Sequence, residues 1–345
     1  MTATAPMSAT APSVQAWAQL RHSTTLALPI VIGTMNFGKR TPEPEAHRLV
    51  HRALERRVVH FDTANAYVAG EGERILGRAL RGKRQHALIA SKVGLSRIGG
   101  VASGLIAAGG SSEGLSRARI IQACEESLER LGTDYLDLYF LHVPDQGTPI
   151  EESVAAMGKL LEAGKIRAWA TSNYASWQLL EMIHYCDVAG VTRPILAQQM
   201  YNLLVRQLEL EYFAFAKRYG LHTTAYNPLA GGMLSGKHQM GTVTPGSRFD
   251  DNPMYQRRYY SAEQFRRLDD YRALAAKLDL SLPELAFAWL ASRPGVDSVV
   301  IGPASVEHLD HAIDALERRL SAETLAELDL LYVRHQGTDA SYARI

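Results

Sequence analysis

The sequence predicts a single α/β domain built as a (β/α)8 TIM barrel, and three observations carry that reading. Short β-branched and apolar runs alternate strictly with longer segments of helical period, the alternation repeats eight times, and no linker divides the 345 residues. Eightfold repetition favours a closed barrel over a doubly wound sheet.

The expected strands are Ile30 to Gly33, Val58 to Asp62, Leu88 to Lys92, Tyr135 to His142, Ile166 to Ser172, Ile195 to Gln199, His222 to Tyr226 and Ser298 to Ile301. Helices are expected between them near 44–56, 71–81, 117–130, 150–163, 176–186, 207–219, 262–279 and 306–318. Thr148-Pro149-Ile150-Glu151 reads as a capping box with proline at the first helical position, and Ser281-Leu282-Pro283-Glu284 repeats the Ser-x-x-Glu pattern. Gly132 and Gly164 close the preceding helices, where the chain needs a left-handed residue.

Residues 1–20 read as a disordered or irregular tail. Up to about Ser13 they are rich in Ala, Thr, Ser and Pro, with too little apolar surface to offset the entropy of ordering. The barrel and a C-terminal tail take 21–345. The first stretch lacks the early basic cluster and apolar core of a signal peptide, and no apolar run is long enough to span a bilayer.

With 46% hydrophobic residues the chain can bury a large core. Its 37 Lys and Arg against 36 Asp and Glu leave a formal charge of +1, which gives no field to attract nucleic acid or an anionic membrane; the expected partner is a small molecule. Cys124 and Cys186 are too few for a disulfide framework and read as buried, reduced thiols in a cytoplasmic protein. Oligomeric state has no sequence signature.

Two connections are longer than such units need. Val93 to Gly114 is rich in Gly and Ser and reads equally as a functional loop or a mobile excursion. Gly241 to Tyr260 mixes arginines with tyrosines, which suits a cover over a cofactor or substrate better than a subunit contact.

The chemistry gathers at strand ends. Val58 to Leu80 opens on a β-branched run ending at Asp62, turns through small residues to Tyr67, and resumes at Gly70 as an amphipathic helix. Two further apolar runs stop on Lys92 and His142. Desolvating an unpaired charge is costly, so ionisable groups at the ends of buried strands imply partners. The frame D-T-A-x-x-Y then G-x-x-E-x-x-L-G is present as Asp62-Thr63-Ala64, Tyr67, Gly70, Glu73, Leu76 and Gly77, and the turn L-H-x-P-D as Leu141 to Asp145. On these residues the chain resembles the aldo-keto reductase family from about Gly33 to about Leu331, and the family's catalytic tetrad corresponds to Asp62, Tyr67, Lys92 and His142.

The resemblance implies NAD(P)H-dependent reduction of an aldehyde or ketone. Tyr67 is the expected acid, since it alone of the four can donate a proton while starting neutral. A free phenol titrates near about 10, so the positive charge of Lys92 is expected to outweigh burial and favour phenolate, with Asp62 holding the ammonium and His142 orienting the carbonyl. None of these groups carries two electrons, so an organic redox cofactor is required.

No G-x-G-x-x-G lies between a strand and a helix, so a Rossmann site is excluded. The resemblance implies instead that Ser172, Asn173 and Gln198 hydrogen-bond the nicotinamide carboxamide and that Tyr226, followed by Asn227, stacks on its ring. Glycines in the loop from Leu229 through Gly231 to Lys237 let backbone N–H groups approach a pyrophosphate. Arg248, Gly302, Ser305 and His308 complete the expected cofactor set. Where many family members carry an arginine two residues after the glycine, this chain has Ala304, and Ala312 replaces a frequent asparagine. NADP remains the expected cofactor through Lys237, Arg248 and the helix start at Ser305, with NAD possible.

His308 and His311 lie three apart, yet no third ligand clusters with them and no H-E-x-x-H occurs, so no metal is expected. Met35 and Phe37 read as pocket lining. The alternative function is a cofactor-sensing binding protein, because potassium-channel β subunits resemble this family and retain the tetrad.

Overall fold

A computed structural model describes residues 29–95, 112–250 and 252–337. The expected N-terminal tail, positions 96–111 of the first long connection, and residues 338–345 lie outside the described residues. Eight parallel strands close into a barrel in sequence order: β1 (Ile30–Gly33), β2 (His60–Asp62), β3 (Leu88–Val93), β4 (Leu138–Leu141), β5 (Trp169–Ser172), β6 (Leu196–Met200), β7 (His222–Tyr226) and β8 (Ser298–Ile301). Pairing of β1 with both β2 and β8 completes the closure. Around it run α1 (Glu43–Glu55), α2 (Glu71–Ala79), α3 (Arg117–Leu131), α4 (Ile150–Glu162), α5 (Ser176–Ala189), α6 (Tyr212–Tyr219), α7 (Pro253–Tyr259), α8 (Ala262–Lys277), α9 (Leu282–Ser292), α10 (Val306–Glu317) and α11 (Ala322–Gln336).

The (β/α)8 expectation holds, with local corrections. The expected strand from Tyr135 shortens to β4 because Leu136 makes only an isolated bridge with Ile166, while the Asp137 carboxylate accepts the Ile89 N–H. The expected helix 207–219 divides into a 3-10 turn over Gln207–Glu209 and α6, since Glu211 between them leaves helical geometry at φ −159°. The box proposed at Thr148 does not form: its hydroxyl donates to Asp145 Oδ2 at 2.6 Å, and Pro149 is the residue flanking α4. The box at Ser281 does form, with Glu284 accepting the Ser281 N–H at 2.9 Å.

Helices α7 and α11 were not expected, and of α9 only the start at Ser281 was read. In α9, Leu285 through Ala291 are all buried, so the helix has no polar face and leaves no amphipathic period to read.

Strand alternation sorts the core into two shells. Ala90, Leu138, Phe140, Ala168, Ala170 and Leu196 form a small apolar cluster of their own. Their strand neighbours Ile89, Tyr139, Leu141, Trp169 and Ala197 belong to the large cluster shared with the helices. A side-chain period of two therefore places Lys92, His142, Ser172 and Gln198 with the inner set, one step beyond those small apolar residues at the carboxyl ends of the strands. Cys124 and Cys186 are buried free thiols, each pushed up to about 12 by burial. Among the described residues, no helix is long and apolar enough to cross a membrane.

Gly77 fixes how closely α2 approaches the end of α3. A Cβ there would stand 2.3 Å from the carbonyl oxygen of Leu131, a backbone atom that cannot swing away. Gly77→Ala is expected to cost about 1–3 kcal/mol, read as a lower urea midpoint at unchanged slope.

Candidate active site

Tyr67 reaches the barrel mouth through a strained turn. After β2 the chain enters a 3-10 turn, Tyr67–Gly70, in which Val68 and Ala69 take left-handed φ values of 49° and 53°. Such a conformation is costly for a β-branched residue, of order 1–3 kcal/mol. Gly70, at φ 89°, then starts α2 without that cost. The turn sets the Tyr67 ring edge-on to His142, with centroids 5.9 Å apart.

Beneath the two rings Lys92 is fully buried. Its ammonium donates to Asp62 Oδ1 and, at 2.8 Å, to the Thr63 carbonyl. Asp62 Oδ2 accepts from Gln198 Nε2 at 3.0 Å, so the carboxylate spans the barrel from β3 to β6. A second buried carboxylate supports the floor from outside: Glu73 accepts from Ser91 Oγ and, at 2.6 Å, from Arg130 Nε.

This arrangement corrects the expectation that Lys92 favours phenolate. Burial and then the Asp62 charge raise the Tyr67 phenol well above its ordinary range. Lys92 Nζ lies 5.2 Å from the Tyr67 ring centroid, but Asp62 pairs with it at contact and acts on the phenol in the opposite sense. Burial also pulls the Lys92 ammonium down. Burial followed by the Lys92 charge holds His142 well below the usual histidine range, so imidazole and phenol are both neutral. The buried His142 Nδ1 has no hydrogen-bond partner among the described residues.

From this floor a cavity of about 1300 Å³ runs outward. Asp62, Tyr67, His142, Ser172, Asn173, Gln198, Tyr226, Asn227, Leu229, Gly231, Lys237, Arg248, Gly302 and His308 line it, and Lys92 supports it from below. Ser172 donates to the Gln198 carbonyl at 2.9 Å, and Asn173 Oδ1 accepts the Tyr226 hydroxyl at 2.7 Å, which locks that ring. Asn173 and Asn227 both hold left-handed backbone, at φ 66° and 63°.

Four expectations change. The Asn227 side chain accepts the Gly231 N–H at 2.7 Å and donates to Tyr259 Oη at 2.7 Å, so it braces the loop instead of offering free donors. Gln198 spends its amide nitrogen on Asp62, leaving its carbonyl oxygen as the end that can meet a carboxamide. Ser305 caps α10 by accepting the His308 N–H at 3.3 Å and does not line the cavity. Phe37 is core, 1% exposed, whereas Met35 does line the cavity.

Sequence reading missed much of the wall. Met254, Tyr255 and Arg258 of α7 line the cavity, and Arg248 reaches both Tyr255 Oη and Asn36 Oδ1 at 3.4 Å. The mixed arginines and tyrosines were the signal for α7. At the far end the wall is α9 and α10, through Glu284, Phe287, His311 and Arg318, with Arg318 paired to Glu284 at 3.2 Å. Only the Ser281 box and the His308–His311 spacing hinted at that end.

Two buried neutral histidines tie stability to pH. His60 is lowered to about 3 by burial, and His142 is also strongly lowered. The stability they contribute is complete above the unfolded histidine value of about 6.5 and is lost as pH falls below it, because only the unfolded chain then binds the protons. Between about pH 6 and 5 the unfolding free energy should fall by roughly 2.7 kcal/mol per unit, two protons' worth. Urea titrations should give about half that slope for His142→Gln.

Residues 29–333 match the model of the Aldo/keto reductase family. The chain is 32% identical over 289 residues to the probable voltage-gated potassium channel subunit beta of Oryza sativa subsp. japonica, covering 82% of this chain and 85% of that protein. It is 33% identical over 305 residues to the human aflatoxin B1 aldehyde reductase member 2, covering 83% and 81%. With the closed parallel barrel, this match over nearly all the described residues means that the chain belongs to the aldo/keto reductase family.

Proposed function

We propose that the protein reduces an aldehyde or ketone to its alcohol, with Tyr67 giving the proton and a reduced nicotinamide dinucleotide, NADP in preference to NAD, giving the hydride. The observation that carries this is the convergence of a neutral phenol and a neutral imidazole at the floor of a long cavity, above the buried Lys92–Asp62 pair. A cavity of about 1300 Å³ exceeds what most small ligands need and suits a dinucleotide with substrate beside it. Ser172 and the Gln198 side-chain oxygen would hold the carboxamide, Tyr226, locked by Asn173, the ring, and the Leu229–Lys237 loop with Arg248 the phosphates.

Bound there, the nicotinamide supplies the two electrons that no side chain can. The substrate carbonyl oxygen would accept hydrogen bonds from Tyr67 and from whichever His142 nitrogen carries the proton. A phenol with a raised pKa still serves as the acid, because the alkoxide formed from the carbonyl is a stronger base than phenolate. Its proton stays on until charge develops on that oxygen. Lys92, 5.2 Å from the ring centroid and paired with Asp62, supports the ring from below. The two buried free thiols support a reducing, cytoplasmic setting.

The channel-subunit relatives favour a second reading, a cofactor-sensing protein with the same site. Following reduced cofactor with a panel of aldehydes separates the two: many turnovers support the reductase, and one oxidised cofactor per chain supports the sensor.

Tyr67→Phe should lower carbonyl reduction by about 10²- to 10⁴-fold while leaving cofactor affinity unchanged, since the ring stays and only the acid is lost. Single-turnover kinetics beside a fluorescence titration of NADPH test this, and near-normal hydride transfer in the variant would remove Tyr67 from its role. The NADP preference rests on Lys237 and Arg248, with Ala304 in the cavity wall where an arginine would add a fork. Ala304→Arg should therefore tighten NADPH by about tenfold or more and NADH far less. Equal changes in the two dissociation constants would mean that position 304 does not meet the 2′-phosphate.

A further inference from the structure

Among the described residues six large hydrophobic side chains are exposed, and three of them, Trp177 (67%), Leu180 (43%) and Val188 (73%), stand on α5. The opposite face of α5 is already satisfied, with Leu179, Met182, Ile183 and Cys186 buried against the barrel. The helix is thus apolar on two sides. A monomer gains nothing from the outer one.

The outer residues follow a helix-pairing pattern. Trp177, Glu181, His184 and Val188 are spaced four, three and four apart, which aligns them in one stripe, with Leu180 and the half-buried Tyr185 on its flanks. Neither Glu181 nor His184 has an ion-pair partner among the described residues. The order apolar, acidic, basic, apolar is complementary to its own reverse. Laid antiparallel against an identical helix, Trp177 meets Val188 of the second copy and Glu181 meets His184, each contact occurring twice, while the Leu180 flank faces Leu180 of the second copy and the Tyr185 flank faces Tyr185.

We propose that α5 is a dimer contact and that its occupant is α5 of a second copy of this chain, antiparallel about a two-fold axis. A two-fold interface requires a patch that matches itself, and this stripe does so in both shape class and charge. The parallel arrangement would stack Glu181 on Glu181, which like charge opposes, and would leave His184 facing its own copy instead of a carboxylate. The two apolar layers at the ends supply the attraction, and the two Glu–His layers between them set register and direction.

Sedimentation velocity of the full chain over a micromolar concentration series tests the proposal. Wild type should shift from monomer to dimer, and Val188→Glu should remain monomeric with an unchanged circular dichroism spectrum. Glu181→Lys and His184→Glu should each weaken association by about tenfold, and combining them should restore it, because the pair is then present with its charges exchanged. A wild type that stays monomeric throughout would overturn the proposal, leaving the stripe to a different protein or to residues 1–28 of the same chain. Dimers indifferent to Val188→Glu would place the interface elsewhere, and failure of the double variant to recover would overturn the antiparallel register.

Discussion

The Lys92–Asp62 ion pair is the constraint around which the site is arranged. An ammonium with no solvent exposure is tolerated only because a carboxylate meets it at contact distance and the Thr63 carbonyl accepts a second hydrogen bond from it. That carboxylate is in turn fixed by Gln198 from the far side of the barrel. Removing either charge would leave the other buried and unpaired, a loss of about 3–5 kcal/mol. Strand register therefore matters to chemistry here: slipping β3 by one residue would turn Lys92 outward and strand Asp62.

The same pair sets the electrostatics above it. Burial acts first on the neighbouring groups, the Asp62 charge adds to it at Tyr67 and the Lys92 charge at His142, and both are kept neutral. A neutral floor suits a reaction whose charge appears only as it proceeds, since the donors are in position before the charge exists. Strain at Val68 and Ala69 belongs to this arrangement, because the unusual turn carries the phenol from the end of β2 back over the barrel axis toward His142.

Around the floor, polar side chains are used to hold shape more than sequence reading anticipates. Asn227 braces Gly231 and Tyr259, Asn173 locks the Tyr226 hydroxyl, and Ser305 caps α10. Each position resembles a ligand contact in sequence because the residue type is right. Geometry shows where the hydrogen bonds already go. α5 presents the converse case, an apolar helix face that the fold leaves unused.

By itself the sequence determined the barrel and singled out Asp62, Tyr67, Lys92 and His142 as candidates, and the reason is locality. Alternating periods of two and 3.6 are written in short windows, and Asp62, Lys92 and His142 each end a run of apolar residues that can be recognised without any partner. Helix α9 escaped because burial on all sides erases the period, and the box at Thr148 failed because Asp145 competes for its hydroxyl. What only the tertiary structure decided is how distant groups share charge and space. Whether Lys92 acidifies Tyr67 depends on Asp62 lying closer to the ammonium than the phenol does, and whether α9 and α10 form one wall depends on packing across the barrel's outer layer. Coulomb energy and burial depend on separations in space, and those separations are set only when the barrel closes.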